Sequence, residues 1–247
     1  MSQIQYETDG AVVIGGVGEG LGLALSHRFA RAGHSVVMLA RTQEKLDRFA
    51  DQIRADGGKA EGLTADIRDE KQMIAVFENV VARHGILTAA IFNGGANHRK
   101  PILDITGDVF EKVWRLACFG AFVFGTEAAR HMVPQGRGTI LFTGATASLR
   151  GGAQFAAFAA AKFGARAIAQ SMARELGPKG IHVASVVIDG GIDMPAIHRR
   201  YEALGKTAPP DGLLSAAAIA ETYYQIHAQQ RSAWTMETEV RQYCETF

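Results

Sequence analysis

The chain has 247 residues, 47% of them hydrophobic, enough for a substantial core within one α/β domain. Its 26 basic and 25 acidic residues leave a net charge of +1, which argues against nucleic acid or an anionic membrane surface as partner. Cys118 and Cys244 match no CxxC or zinc spacing, and no HExxH or Cys/His cluster points to a metal. The N-terminal ten residues lack the basic and apolar regions of a secretory signal. The best apolar run, 116–125, is about half the length of a membrane span, so a cytoplasmic protein with reduced thiols is expected.

Short apolar, β-rich runs alternate with longer helical patterns along the chain, the signature of βαβ units and a parallel sheet. Strands are predicted at 11–14, 35–39, 60–65, 87–92, 139–143 and 182–188. Their near-continuous apolar character suits a sheet covered by helices on both faces. Helices are predicted at 20–32, 43–55, 70–84, 107–133, 153–177 and 216–229. Asp69 with Gln72 reads as a capping box, and Gly33 and Gly57-Gly58 as helix ends. No repeat or linker divides the chain, so residues 1–247 read as one Rossmann-type domain with a doubly wound parallel sheet. The one long irregular stretch, about 190–214, reads as a lid-like insertion. Residues 234–247 alternate apolar and charged side chains, which suits a sheet edge or a symmetric interface equally.

The run from Gly15 to Gly22 contains Gly16, Gly18, Gly20, Leu21 and Gly22, directly after the first strand and opening the first helix. Glycines there let backbone amides and a helix N-terminus approach a pyrophosphate. At the end of the second strand stands Ala40-Arg41, with no acid until Glu44. A carboxylate at that point would bond the adenosine ribose, whereas a cation accommodates a 2′-phosphate, so NADP(H) is favoured over NAD(H). Arg41 also reads as an ordinary solvated cation at a helix start.

With the Gly16/Gly20/Gly22 turn, Ala40-Arg41, Asp66-Ile67 after the third strand, Asn93-Gly94-Gly95-Ala96 after the fourth, a helix carrying Lys162, and Asp189-Gly190-Gly191-Ile192-Asp193 after the sixth, the chain resembles the short-chain dehydrogenase/reductase (SDR) family over essentially its whole length. The resemblance implies that Asp66 and Ile67 lie beside the adenine and Asn93, Gly94 and Gly95 beside a cofactor ribose. It places Ile192 and Met194 near the nicotinamide, makes 193–213 a substrate-covering lid, and implies a homo-oligomer, dimer or tetramer. The helix rich in alanine at 156–161 suits either a close subunit interface or room for cofactor and substrate.

At the family's catalytic positions the resemblance breaks. Its tyrosine falls on Phe158, its serine on Ala145 and its helix asparagine on Ala117, and Lys162 alone is retained. Its Asn-Asn-Ala-Gly becomes Asn-Gly-Gly-Ala, and its Pro-Gly after the sixth strand becomes Asp189-Gly190. A phenylalanine ring has no ionisable proton to give. His98 stands after the fourth strand as a substitute acid or as part of a basic surface loop with Arg99 and Lys100. Thr143, Thr146 and Ser148 read as turn residues or substrate-orienting hydroxyls, His198 and Tyr201 as solvated loop residues or catalytic groups of the lid, and Asp189 and Asp193 as turn residues in preference to acid–base groups. Two functions therefore stand side by side. One is an NADP(H)-dependent oxidoreductase of atypical mechanism acting on a small apolar substrate. The other is a non-catalytic cofactor-binding protein, a sensor or an inactive partner subunit.

Overall fold

The computed structural model describes residues 10–95, 97–208 and 210–244; the final residue of the Asn-Gly-Gly-Ala motif and the chain's last aromatic lie outside them. Seven strands form one sheet: β1 (Ala11–Gly15), β2 (Ser35–Ala40), β3 (Lys59–Thr64), β4 (Leu87–Phe92), β5 (Gly138–Thr143), β6 (Ile181–Asp189) and β7 (Glu237–Arg241). Their order is β3-β2-β1-β4-β5-β6-β7 and every pairing is parallel. Strand order reverses between β1 and β4, so the loops leaving their carboxyl ends diverge to opposite faces. The crevice left there is where open α/β sheets bind ligands.

Successive side chains on a strand point to opposite faces, and each face is apolar here. On one face Val13, Val37 and Phe92 pack on Phe77 of α3 (Glu70–His84), Phe124 of α5 (Gly120–Gln135) and Ala165 and Ala169 of α6 (Ala156–Leu176). On the other, Val12, Ile14 and Val36 meet Leu25 and Phe29 of α1 (Leu21–Arg31), Phe49 of α2 (Gln43–Ala55) and Tyr223 of α8 (Ala216–His227). The chain is thus a Rossmann-type parallel sheet with helices on both faces, as its strand pattern implies. Asp69 caps α3 by accepting from the Gln72 amide at 3.1 Å, and Gly33 and Gly57 take positive φ just past α1 and α2.

Three elements differ from the sequence expectation. The predicted helix 107–133 is split: α4 (Gly107–Trp114) runs into a π-helical turn, Arg115–Phe119, before α5. A single wide turn leaves hydrophobic periodicity almost unchanged, so the pattern does not reveal it. α6 begins three residues later than predicted because Gln154 has φ +71, which no helix accepts. The irregular stretch contains α7 (Pro195–Ala203), started by a proline at its first position and anchored by a bridge between Ile192 and Leu214. Of the two places open to the C-terminal segment, it takes the sheet edge, as β7 beside β6. Among the described residues no helix is long and apolar enough to cross a membrane.

Candidate active site

The crevice holds two adjoining cavities of about 410 and 620 Å³, which share Gly16, Gly18, Glu19, Gly20, Asn93, Gly94, Gly95 and Met194 in their walls. Five of these eight are glycines, so much of the shared wall is backbone. Gly16 has φ +82, and a Cβ on it would lie 2.8 Å from the Asn93 carbonyl oxygen; one on Gly22 would lie 2.7 Å from Val17 Cα. Only glycine lets these turns approach so closely. A Cβ on Gly18 would meet nothing, so that residue faces open space. No side chain caps the N-terminus of α1 and its first turn carries no acid. Its free amides and positive dipole end are left for an anion.

The smaller cavity is lined by Arg41, Lys45, Asp66, Ile67, Arg68 and, from α7, Arg199. Asp66 and Arg68 form a forked pair, with Arg68 Nη2 and Nε donating to the carboxylate at 2.6 and 2.9 Å. These bonds hold the Asp66 carboxyl below its usual range and raise the Arg68 guanidinium. Glu19, the acid nearest the glycine turn, is engaged by Arg48 at 2.8 Å. No free carboxylate from β2 enters this end.

The larger cavity is lined by Leu21 and Gly22, Thr143, Ala145, Thr146, Arg150, Phe155, Phe158 and Lys162, with Ile192 and Met194 from the insertion. Lys162 is buried, and its Nζ donates to the carbonyls of Thr143 at 2.7 Å and Gly94 at 3.2 Å. Burial pushes its pKa down to about 8. The Phe158 ring centre lies 5.9 Å from that Nζ. A relay of hydroxyls and amide braces the floor: Tyr223 donates to Thr143 Oγ1 at 2.8 Å, Thr143 to Asn93 Oδ1 at 3.1 Å, and Asn93 Nδ2 to the Gly16 carbonyl at 3.1 Å. Burial raises the Tyr223 phenol further above its ordinary value, so it stays protonated and serves here as a fixed donor. Beside Ala145, Thr146 donates its hydroxyl to Asp189, a buried carboxylate at the end of β6, and Arg150 Nη2 stands 3.8 Å from the other carboxylate oxygen.

Residues 10–203 match the family profile for short chain dehydrogenases. The chain belongs to the short-chain dehydrogenase family. The chain is 44% identical to a solved short-chain dehydrogenase from Rhodopseudomonas palustris, with a TM-score of 0.82 over 95% of this chain and 99% of that one. It is 32% identical to elsinochrome reductase 1 of Elsinoe fawcettii over 77% of this chain and 71% of the relative. It is 30% identical, over the same shares, to a probable tetrahydroxynaphthalene reductase of Zymoseptoria tritici. The fold, an oxidoreductase class and a nicotinamide-binding crevice follow from that membership.

The structure gathers in the crevice Gly16, Gly18, Gly20, Leu21, Gly22, Arg41, Asp66, Ile67, Asn93, Gly94, Gly95, Lys162, Ile192 and Met194, together with Phe158 and Ala145. It does not bring in Ala117, which is fully buried in the π-helical turn among Cys118, Ala157 and Ala161. His98 lines neither cavity, and its buried Nε2 has no hydrogen-bond partner; its neighbour Asn97 lines the larger one. Ser148 accepts from the Ala145 amide at 3.0 Å and faces away, while His198 is exposed and bonded to Asp193 at 2.5 Å. Sequence reasoning missed Arg199, Phe155, the Tyr223 relay and the pairing of Thr146 with Asp189. The replacement of a proline by Asp189 was the available signal for that pairing. A carboxylate at a strand end that faces a crevice needs a partner.

Proposed function

We propose that this dehydrogenase is an NADP(H)-dependent reductase of conjugated double bonds in apolar substrates, working without a tyrosine acid. The observation that carries the reading is the unbroken crevice, cationic at Arg41, Lys45 and Arg199 and apolar at Phe158 and Ala145 around Lys162. The residues fit the dinucleotide. The glycine cradle and uncapped α1 suit its pyrophosphate, and the cations, with Glu19 already held by Arg48, suit a 2′-phosphate. When bound, the cofactor supplies a hydride.

Lys162 spends two of its three protons on the Gly94 and Thr143 carbonyls and keeps the third for a ribose hydroxyl. In this reading Phe158 and Ala145 occupy the family's tyrosine and serine positions, so neither position offers a proton donor or a donor to an oxyanion. Each such group contributes about two or more orders of magnitude in rate, which disfavours simple ketones. A conjugated system spreads the new charge over its own atoms and takes its proton from solvent, so the apolar wall is then no handicap. α7 and its flanking loops act as a lid, with Met194 and Ile197 on the cavity and Arg199 on the cation end. Exposed Phe110, Trp114, Phe122 and Phe163 on α4, α5 and α6 support a homo-oligomer packed through these helices.

The same apolar wall favours a second reading, a cofactor-binding protein without catalysis. Stopped-flow NADPH oxidation separates the two, using benzylideneacetone and its saturated counterpart benzylacetone. The proposal expects turnover of the conjugated ketone, at least about a hundredfold faster than the saturated one. Binding of NADPH with turnover of neither substrate would favour the non-catalytic reading, and equal turnover of both would refute the mechanism.

A further inference from the structure

Two departures from the family pattern, Ala145 and Asp189, meet at one side chain. Ala145 withdraws a hydroxyl from the crevice wall, and the next residue, Thr146, puts one back in the larger cavity. That hydroxyl is not free to turn. Its hydrogen goes to Asp189, a carboxylate only 5% exposed, whose second oxygen faces Arg150. A hydroxyl has one hydrogen and two lone pairs. With the hydrogen fixed on Asp189, Thr146 Oγ1 turns only lone pairs toward the cavity. The other hydroxyl on this wall is committed, since Thr143 both accepts from Tyr223 and donates to Asn93.

We propose that Thr146, positioned by Asp189, selects substrates bearing a hydroxyl on their apolar conjugated skeleton, by accepting that hydroxyl's hydrogen. Arg150, exposed at the rim of the same wall, donates toward the oxygen of the same group. A phenol or enol satisfies both partners, because it gives one hydrogen and accepts another. An ether or an isolated carbonyl satisfies Arg150 alone and leaves a lone pair facing Thr146. Selection arises because a site built to bond a hydroxyl rejects the analogue that lacks it. Phe155 and Phe158 supply the flat apolar walls between which the skeleton lies. Asp189 is a positioning residue: it touches no substrate and acts by fixing the direction of one hydrogen.

This inference deepens the proposed reductase and rests on it for the identity of the pocket. The test compares 2-naphthol with 2-methoxynaphthalene, which share a skeleton and differ in the hydrogen that can be donated. Affinities are measured by isothermal titration with and without saturating NADP⁺. The wild-type protein is expected to bind the naphthol about tenfold more tightly. Thr146→Val, which keeps the shape and loses the oxygen, brings the ratio to about one, and Thr146→Ser restores it. Asp189→Asn has the same effect as the valine for a different reason. Its amide oxygen turns to Arg150 and its NH₂ donates to Thr146, releasing the threonine hydrogen into the cavity. A purely structural role for Asp189 would lower both affinities and leave their ratio alone. Equal binding of the two probes by the wild type, binding of neither, or a ratio preserved in the valine and asparagine variants overturns the proposal. Absence of NADP⁺ binding would count against the cofactor reading alone, since the ratio without nucleotide still decides the part played by Thr146.

Discussion

Placing two hydroxyls on the apolar wall should turn this crevice into a ketone reductase. Phe158 and Ala145 both line the cavity that holds Lys162, and the Phe158 ring centre is 5.9 Å from the lysine Nζ. A phenol oxygen on the lysine side of that ring therefore comes within reach of Nζ, whose charge lowers the phenol pKa. Ala145 is in the extended region, with φ −156 and ψ 167, so serine is accepted there without backbone strain. A proton donor and an oxyanion donor each contribute about two orders of magnitude, so the double variant Phe158→Tyr/Ala145→Ser should gain ~10⁴ in benzylacetone reduction, about 5.5 kcal/mol of barrier. Stability should move by less than about 1 kcal/mol, because the Phe158 ring is only part-buried and the new hydroxyls face an open cavity. The assay is NADPH consumption, with thermal unfolding and NADPH affinity measured on the same samples. A folded double variant that binds NADPH and gains nothing would refute the reasoning, and with it the assignment of these two positions.

Other outcomes follow from buried titratable groups. His34, His182 and His227 cluster at the amino end of the sheet, with the His34 and His227 rings 5.4 Å apart. Burial lowers the pKa of all three, that of His227 to about 3, helped by its neighbours His34 and His182. The unfolded chain takes up protons near pH 6.5 that the fold refuses, so stability is complete above that pH and falls as pH drops towards 3. His227 alone accounts for on the order of 4 kcal/mol. Urea midpoints should fall steeply from pH 7 to 5 and less so in His227→Gln; a flat profile contradicts this. Lys162 runs the other way. The unfolded chain keeps its proton to pH 10.5 and the fold releases it near 8, so stability rises with pH between those values, relative to Lys162→Met. Over the same range NADPH affinity should weaken in the wild type and stay level in the methionine variant, as read by fluorescence titration.

What was legible in the sequence was whatever depends on local spacing. The six strands, the glycine turn and the helix carrying Lys162 follow from apolar runs, residues that permit tight turns, and a register fixed by the helix. Residues paired across the sheet top were not legible. Thr146 and Asp189 are neighbours only because β5 and β6 end side by side, and the sequence alone left Asp189 as a turn residue. Likewise His34, His182 and His227 stand at the ends of separate elements, and only the packing of α8 against α1 and the sheet makes them a cluster. The π-helical turn escaped for the opposite reason: it changes one hydrogen-bond step and hardly any burial, and Ala117 is buried in the cluster against which Phe158 packs instead of lining the cavity itself.

Parallel titrations with NADPH and NADH decide whether the crevice takes a phosphorylated nicotinamide dinucleotide. NADPH should bind at least about tenfold more tightly, because Arg41, Lys45 and Arg199 line the cavity at the end of β2, where the extra phosphate would sit. The preference should shrink in Arg41→Ala. Equal affinity for the two nucleotides would contradict the assignment of those cations, and binding of neither would contradict the account as a whole.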